Sequence, residues 1–164
     1  LAKCLKRHPV VYAQWTGPEL TQPSSINIGF AVDTEAGLLV PVIDDVPSLS
    51  LEQVASVSRG LIEKARSRSL STTEMSGGGF SVSNLGAYGI DSFTPIINCP
   101  ETAILGLGAI RREPVVDATN QIVARDQITL SLTFDHRVID GAPAAAFLQT
   151  VCAAIENASA WLID

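Results

Sequence analysis

Charged residues are scarce in this sequence, 17% of 164, and aromatics scarcer at 5%, whereas apolar residues make up 46%. That apolar share is high for a chain facing only water, so some surface is expected to be buried against another subunit. Basic clusters are missing too: Lys3 to Arg7 and Lys64 to Arg68 are short runs in a chain of net charge -6. A nucleic-acid partner is excluded on that ground, because phosphate neutralisation needs a positive face. The longest apolar run, Leu38 to Ile43, is too short to span a bilayer, and no signal-peptide pattern precedes it, so a soluble protein without a membrane partner is expected. Cys4, Cys99 and Cys152 are odd in number and form no CxxC pair, which speaks against a disulfide framework or a zinc site and for a reducing compartment. Gly77 to Gly79 lack the following Lys-Ser or Lys-Thr of a phosphate loop, Gly106 and Gly108 lack the third glycine of a dinucleotide fingerprint, and no G-x-S-x-G elbow exists.

What is present reads as one α+β domain over residues 1–164. Leu1 to His8 has helical spacing and stops at Pro9; because it starts with Leu1 and reads as the tail of a helix, the domain is expected to be truncated at its N-terminus. Ile26, Ile28, Phe30 and Val32 alternate with smaller or polar residues as in a half-buried strand, and Thr34 to Gly37 turns the chain into a second strand over Leu38 to Ile43, near an edge or bulge because of Pro41. Ser50 and Gln53 form a capping box ahead of a helix over 51–67, and Ser71 with Glu74 repeats the pattern for one turn before the three glycines. Phe80 to Leu85 is expected as a strand, Gly86 to Pro95 as a loop, and Thr102 to Ile110 as a strand whose small residues permit close backbone approach. A hairpin is expected around Asp117 to Asn120. The clearest strand, Ile128 to Phe134, runs straight into Asp135-His136-Arg137, and a last helix over Ala144 to Asn157 begins near Asp140 as N-cap with Pro143 in its first turn.

Two histidines are available for chemistry. His8 sits beside Pro9 at a helix end, where a capping or solvated role suffices. His136 falls in Asp135-His136-Arg137-Val138-Ile139-Asp140-Gly141, a base flanked by carboxylates and a guanidinium able to orient it; a buried core histidine is the plain alternative.

The stretch SLTFDHRVIDGAPAAAFL resembles the signature of dihydrolipoamide acyltransferases, the E2 components of 2-oxo acid dehydrogenase complexes. A second stretch, GGGFSVSNLGAYGIDSFTPIINCPETAILGLGAI from Gly77 to Ile110, is similar to that family's other long signature, in the right order, and the likeness extends over the whole chain. It implies a two-layer fold like chloramphenicol acetyltransferase, with a mixed, largely antiparallel sheet. It also implies homotrimers, assembled into a larger cubic or icosahedral core, whose active sites lie between subunits. Coenzyme A and a lipoyl group are then the substrates and no metal is required. Lipoyl domains are partners, and the E1 and E3 components attach through domains not present in this sequence. The compartment would be the cytoplasm of a bacterium, or the mitochondrial matrix or a plastid. By the same resemblance His136 is the base, Ser83 matches the hydroxyl that faces the oxyanion from a neighbouring subunit, and Asp140 matches the Asp or Asn that supports site geometry. Tyr12 stands where the family has asparagine, three residues before Trp15. The SNLG and GIDSFTPIIN segments look most like acetyl-transferring members, of a pyruvate or an acetoin complex.

The residue types agree with that chemistry. Full proton transfer from an ordinary thiol to an ordinary imidazole is uphill by roughly 2.7 kcal/mol, which a positioned base can supply. Ser83 alone is as readily a strand-end serine bonding backbone, and Asp140 a plain N-cap. Two rivals stand beside the enzyme: a catalytically silent core subunit, against which His136 and Ser83 argue, and an acetyltransferase of the chloramphenicol type, which carries a second histidine where this chain has Asp135.

Overall fold

The computed structural model describes residues 1–162. Its centre is a five-stranded sheet in the order β6-β3-β7-β8-β9, with β3 at Ile28–Phe30, β6 at Val42–Ile43, β7 at Phe80–Asn84, β8 at Ala103–Val116 and β9 at Ile122–Phe134. Two small ribbons accompany it: β1 (Gln14–Trp15) with β2 (Leu20–Thr21), and β4 (Val32–Thr34) with β5 (Gly37–Leu39). Within the five-stranded sheet β3–β6 and β8–β9 are antiparallel and β3–β7 and β7–β8 parallel, so it is mixed as expected; both ribbons are antiparallel.

Parallel neighbours need long connections. The one from β3 to β7 passes through β4, β5 and β6 and carries helix α2, Leu51–Arg66, which begins with the complete capping box: the Ser50 hydroxyl accepts from the Gln53 amide and the Gln53 side chain accepts from the Ser50 amide. The one from β7 to β8 carries only a short 3-10 turn, Gly86–Tyr88, and then a loop that lies on the sheet. Gly106 and Gly108 make that packing possible. A Cβ on Gly106 would meet the Phe93 ring at 3.0 Å, and one on Gly108 would stand 1.9 Å from the Asp91 carbonyl oxygen.

Helix α1 (Ala2–Arg7) and helix α3 (Gly141–Glu156) cover the opposite face, and α4 (Ala158–Leu162) follows. Their core joins Leu5, Val11, Phe80, Leu105, Ile139 and Phe147, with Phe80 and Phe147 edge-to-face at 5.7 Å between ring centres. His8 stands at the helix end as expected, but its side chain neither caps nor lies in solvent: its Nε2 is 2.8 Å from the Thr150 hydroxyl and its ring rests edge-on against Phe147.

Three expectations on strands are corrected. The alternation from Ile26 to Val32 is not one strand but β3 and β4, divided at Ala31, and Leu38 to Ile43 is divided at Val40 and Pro41 into β5 and β6. The separate strands and hairpin expected between Thr102 and Phe134 are one long hairpin, β8 with β9, paired from Ala103–Phe134 to Val116–Ile122 with an irregularity between Leu107 and Ile110. Arg111, Arg112 and Glu113 break the apolar alternation there because that part of the ribbon is exposed on both faces, so no buried side imposes a period of two.

Candidate active site

The antiparallel register of β8 and β9 carries the chain to Phe134 opposite Ala103, and the Asp135 amide then donates to the Thr102 carbonyl at 2.8 Å. From that anchor the chain leaves the sheet in a tight turn, with Val138 and Ile139 amides donating back to the Asp135 carbonyl at 3.0 Å each. Ile139, fully buried, pins the far side of the turn in the core. Between these fixed points His136 has nowhere to go but outward. Its side chain is 73% exposed, and its ring lies against Phe134 with 5.6 Å between ring centres.

The flanking charges divide their work differently from the sequence expectation. Arg137 does not orient the imidazole. Its guanidinium grips Asp135 in a two-pronged pair, Nε to Oδ1 at 2.9 Å and Nη2 to Oδ2 at 2.5 Å, and its charge lies 5.3 Å from the centre of the Trp15 ring. These hydrogen bonds, first from the Arg137 side chain and then from its amide, hold the Asp135 carboxyl down at about 2. The DHR turn is thus braced by its own ion pair, and His136 is left free for a substrate.

Asp140 does occupy the N-cap position of α3, with extended backbone, but its side chain makes no capping hydrogen bond. Its Oδ1 instead lies 3.9 Å from His136 Nδ1, too far for a hydrogen bond yet correctly placed for an ionic contact one helical turn along. Asp140 thus holds the N-cap position without a side-chain cap, and its exposed carboxylate stands near the imidazole.

Ser83 lies on β7 opposite Gly106, which in turn faces Ser131 on β9. The strand end that carries His136 is three residues further along and two strands across. At about 3.3 Å per residue and 4.8 Å per strand, roughly 10 Å in each direction separates the two. One copy of the chain therefore does not bring Ser83 and His136 to a common substrate atom. The Ser83 side chain is half-buried near the end of β7.

Several supports went unread in the sequence. Tyr12 is buried; its hydroxyl donates to the Ser25 carbonyl at 2.6 Å and accepts from the Asn27 amide at 2.7 Å. Gly79 is the reason it fits, since a Cβ there would come within 2.4 Å of the Tyr12 ring. Glu101, buried beside Ser81, is another, signalled only by a lone carboxylate opening the apolar run ETAILGLGAI. Among the described residues no helix is long and apolar enough to cross a membrane.

A mixed sheet backed by helices, presenting a solvent-facing histidine where its last strand turns into a helix, defines an acyltransferase-type core. The model of the 2-oxoacid dehydrogenases acyltransferase catalytic domain matches residues 1–163, and the chain belongs to that family. It is 41% identical, over 97% of its length and 24% of the relative's, to the acetyltransferase component of the pyruvate dehydrogenase complex of Corynebacterium glutamicum. It is 42% identical, over 97% of its length and 40% of the relative's, to the acetyltransferase component of the acetoin cleaving system of Bacillus subtilis. Among solved structures, Azotobacter vinelandii dihydrolipoamide acetyltransferase superposes with a TM-score of 0.91 at 42% identity, over 95% of this chain and 65% of that one. The fold is the chloramphenicol acetyltransferase-like fold of those E2 cores, and the chain spans less than half the length of these two curated relatives.

Proposed function

We propose that the chain is the acyltransferase catalytic domain of a 2-oxo acid dehydrogenase complex, moving an acetyl group between dihydrolipoamide and coenzyme A. The observation that carries this reading is His136: exposed at a braced turn, faced by Asp140, with its neighbouring arginine fully engaged elsewhere. In the reaction, His136 takes the proton from the coenzyme A thiol as its sulfur attacks the carbonyl carbon of the acyl-dihydrolipoyl thioester. The tetrahedral oxyanion accepts a hydrogen bond from the Ser83 hydroxyl of a neighbouring copy. As the carbon–sulfur bond to the dihydrolipoyl group breaks, the imidazolium returns its proton to the departing sulfur, so one residue serves both half-steps. Base catalysis of this kind contributes about 10²- to 10⁴-fold, and a hydroxyl aimed at an oxyanion about 10²- to 10³-fold.

Self-association, as a trimer and on into a larger core, supplies what the single copy lacks. The distance between Ser83 and His136 supports it, and so do Ile96, Ile110 and Ile122, left 89%, 72% and 77% exposed. The A. vinelandii structure was determined to investigate the roles of a serine, a histidine and an asparagine in catalysis, the last two spaced like His136 and Asp140. Both acetyl-transferring relatives favour acetyl as the group moved. Transfer of acetyl from acetyl-CoA to dihydrolipoamide, followed by thioester formation, tests the reading: turnover supports it, and a well-folded oligomer without turnover points to a silent structural core.

A further inference from the structure

Among the described residues, buried polar side chains of the core include Ser81 on β7, bonded to Glu101, and Thr102 next to Glu101 just before β8. The acyl-transfer mechanism uses none of them. Glu101 is only 4% exposed; its Oε1 accepts from the Ser81 hydroxyl at 2.9 Å and the Asn98 amide group at 3.4 Å, while Oε2 is buried without a partner among the described residues. Two glycines make room for this group. A Cβ on Gly78 would lie 3.0 Å from Oε1, and one on Gly29 would lie 2.8 Å from the Ser81 hydroxyl oxygen.

The backbone on either side of this carboxyl holds the active-site turn. The Pro100 carbonyl accepts from the Trp15 amide at 2.8 Å, and the Thr102 carbonyl accepts from the Asp135 amide at 2.8 Å. The Thr102 hydroxyl adds a hydrogen bond to the Ala13 carbonyl at 2.9 Å. Trp15 and Asp135 are the two groups on which Arg137 rests, and His136 stands between Asp135 and Arg137. We propose that Glu101 is a positioning residue for His136: seated between Gly29 and Gly78 and bonded to Ser81, its side chain fixes residues 100–102, from which the turn carrying His136 is suspended. Its consequence for turnover rests on His136 being the base; its structural part does not.

This peg is sensitive to pH. Burial pushes the Glu101 carboxyl from 4.5 up to about 7, against the hydrogen bonds from Ser81 and Asn98. Facing it are neutral groups of β3, β7 and β1, and the ionisable group it perturbs is Tyr12, whose phenol is pushed up first by its own burial and further by Glu101 and Asp44. No cation pairs with Glu101 among the described residues. A carboxyl raised in the folded state stabilises the fold below its ordinary value, and that contribution is lost as pH rises through about 7. The seat then holds an unpaired charge and loosens. Glutamine keeps the shape and the acceptor for Ser81 without that charge.

The test reads Trp15 directly by NMR, in a Trp161→Phe, His136→Asn background that leaves one indole and removes the site imidazole. The Trp15 indole resonance is expected to shift with a midpoint near 7 when Glu101 is present, and to stay flat between mildly acidic and neutral pH in Glu101→Gln. A resonance that does not move, or that moves equally in Glu101→Gln, overturns the proposal. With His136 intact, Glu101→Ala should lower kcat roughly 10- to 100-fold with KM little changed, and Glu101→Gln should restore it; equal loss in both also overturns it. If the unaltered protein does not turn over at all, the acyl-transfer reading fails, and the indole titration still decides the role of Glu101.

Discussion

Replacing His136 by glutamine is expected to reduce acetyl transfer by about 10²- to 10⁴-fold while leaving the fold and the binding of coenzyme A intact. Glutamine is polar and of similar reach, but it cannot accept and return a proton. The fold is safe because His136 is 73% exposed and its contacts are the Phe134 face and a carboxylate 3.9 Å away, neither of which holds the turn. The turn is held by the Asp135 amide on Thr102, the Asp135–Arg137 pair and the buried Ile139. Steady-state kinetics and thermal unfolding of the variant check both halves: a loss in kcat with an unchanged unfolding curve is expected, and a folded variant with ordinary turnover removes His136 from the mechanism.

The second large effect is on stability. Gly108→Ala should destabilise the fold by at least about 3 kcal/mol, because the new methyl would stand 1.9 Å from the Asp91 carbonyl oxygen and 3.2 Å from that of Thr129, both backbone atoms unable to swing aside. The loop must lift off the sheet, breaking the Ala109 amide to Ile90 carbonyl bond of 2.8 Å. The same substitution at Gly60, in the middle of α2 with nothing within 4 Å, should instead stabilise by about 0.5–1 kcal/mol, the ordinary advantage of alanine in a helix. Urea midpoints for the two variants should move in opposite directions; an unmoved or raised midpoint for Gly108→Ala would mean that the loop does not rest on Gly108.

Local chemistry was legible in the sequence wherever neighbours along the chain decide it. Ser50 and Gln53 announce the start of α2, Thr34 to Gly37 the β4–β5 turn, and the alternation from Ile128 to Phe134 a strand that ends at His136. Gly106 and Gly108, read as permitting close approach, do so against Phe93 and Asp91. What was not legible depends on partners far away in the chain. The parallel placement of β7 between β3 and β8 joins segments about 50 and 20 residues apart, and no periodicity encodes which strands meet. Asp140 has the sequence of an N-cap and takes that position, but that its carboxyl would stand 3.9 Å from the His136 ring instead of capping depends on the turn between them. Arg137 looked free to orient the imidazole because sequence cannot show that Asp135 takes both of its prongs. Little along the chain marks Glu101, which is enclosed by Ser81 and two glycines from distant segments.

If His136 of one copy and Ser83 of another form a single acyl-transfer site, subunit mixing must restore activity. His136→Gln and Ser83→Ala each cripple every site in their own oligomer, but in oligomers assembled at random from equal amounts about a quarter of the interfaces carry an intact histidine opposite an intact serine. Co-expressed variants, with mixed assembly verified by mass spectrometry, should therefore recover acetyl transfer to roughly a quarter of the unaltered level. Mixed oligomers no more active than the average of their two parents would contradict a site shared between copies.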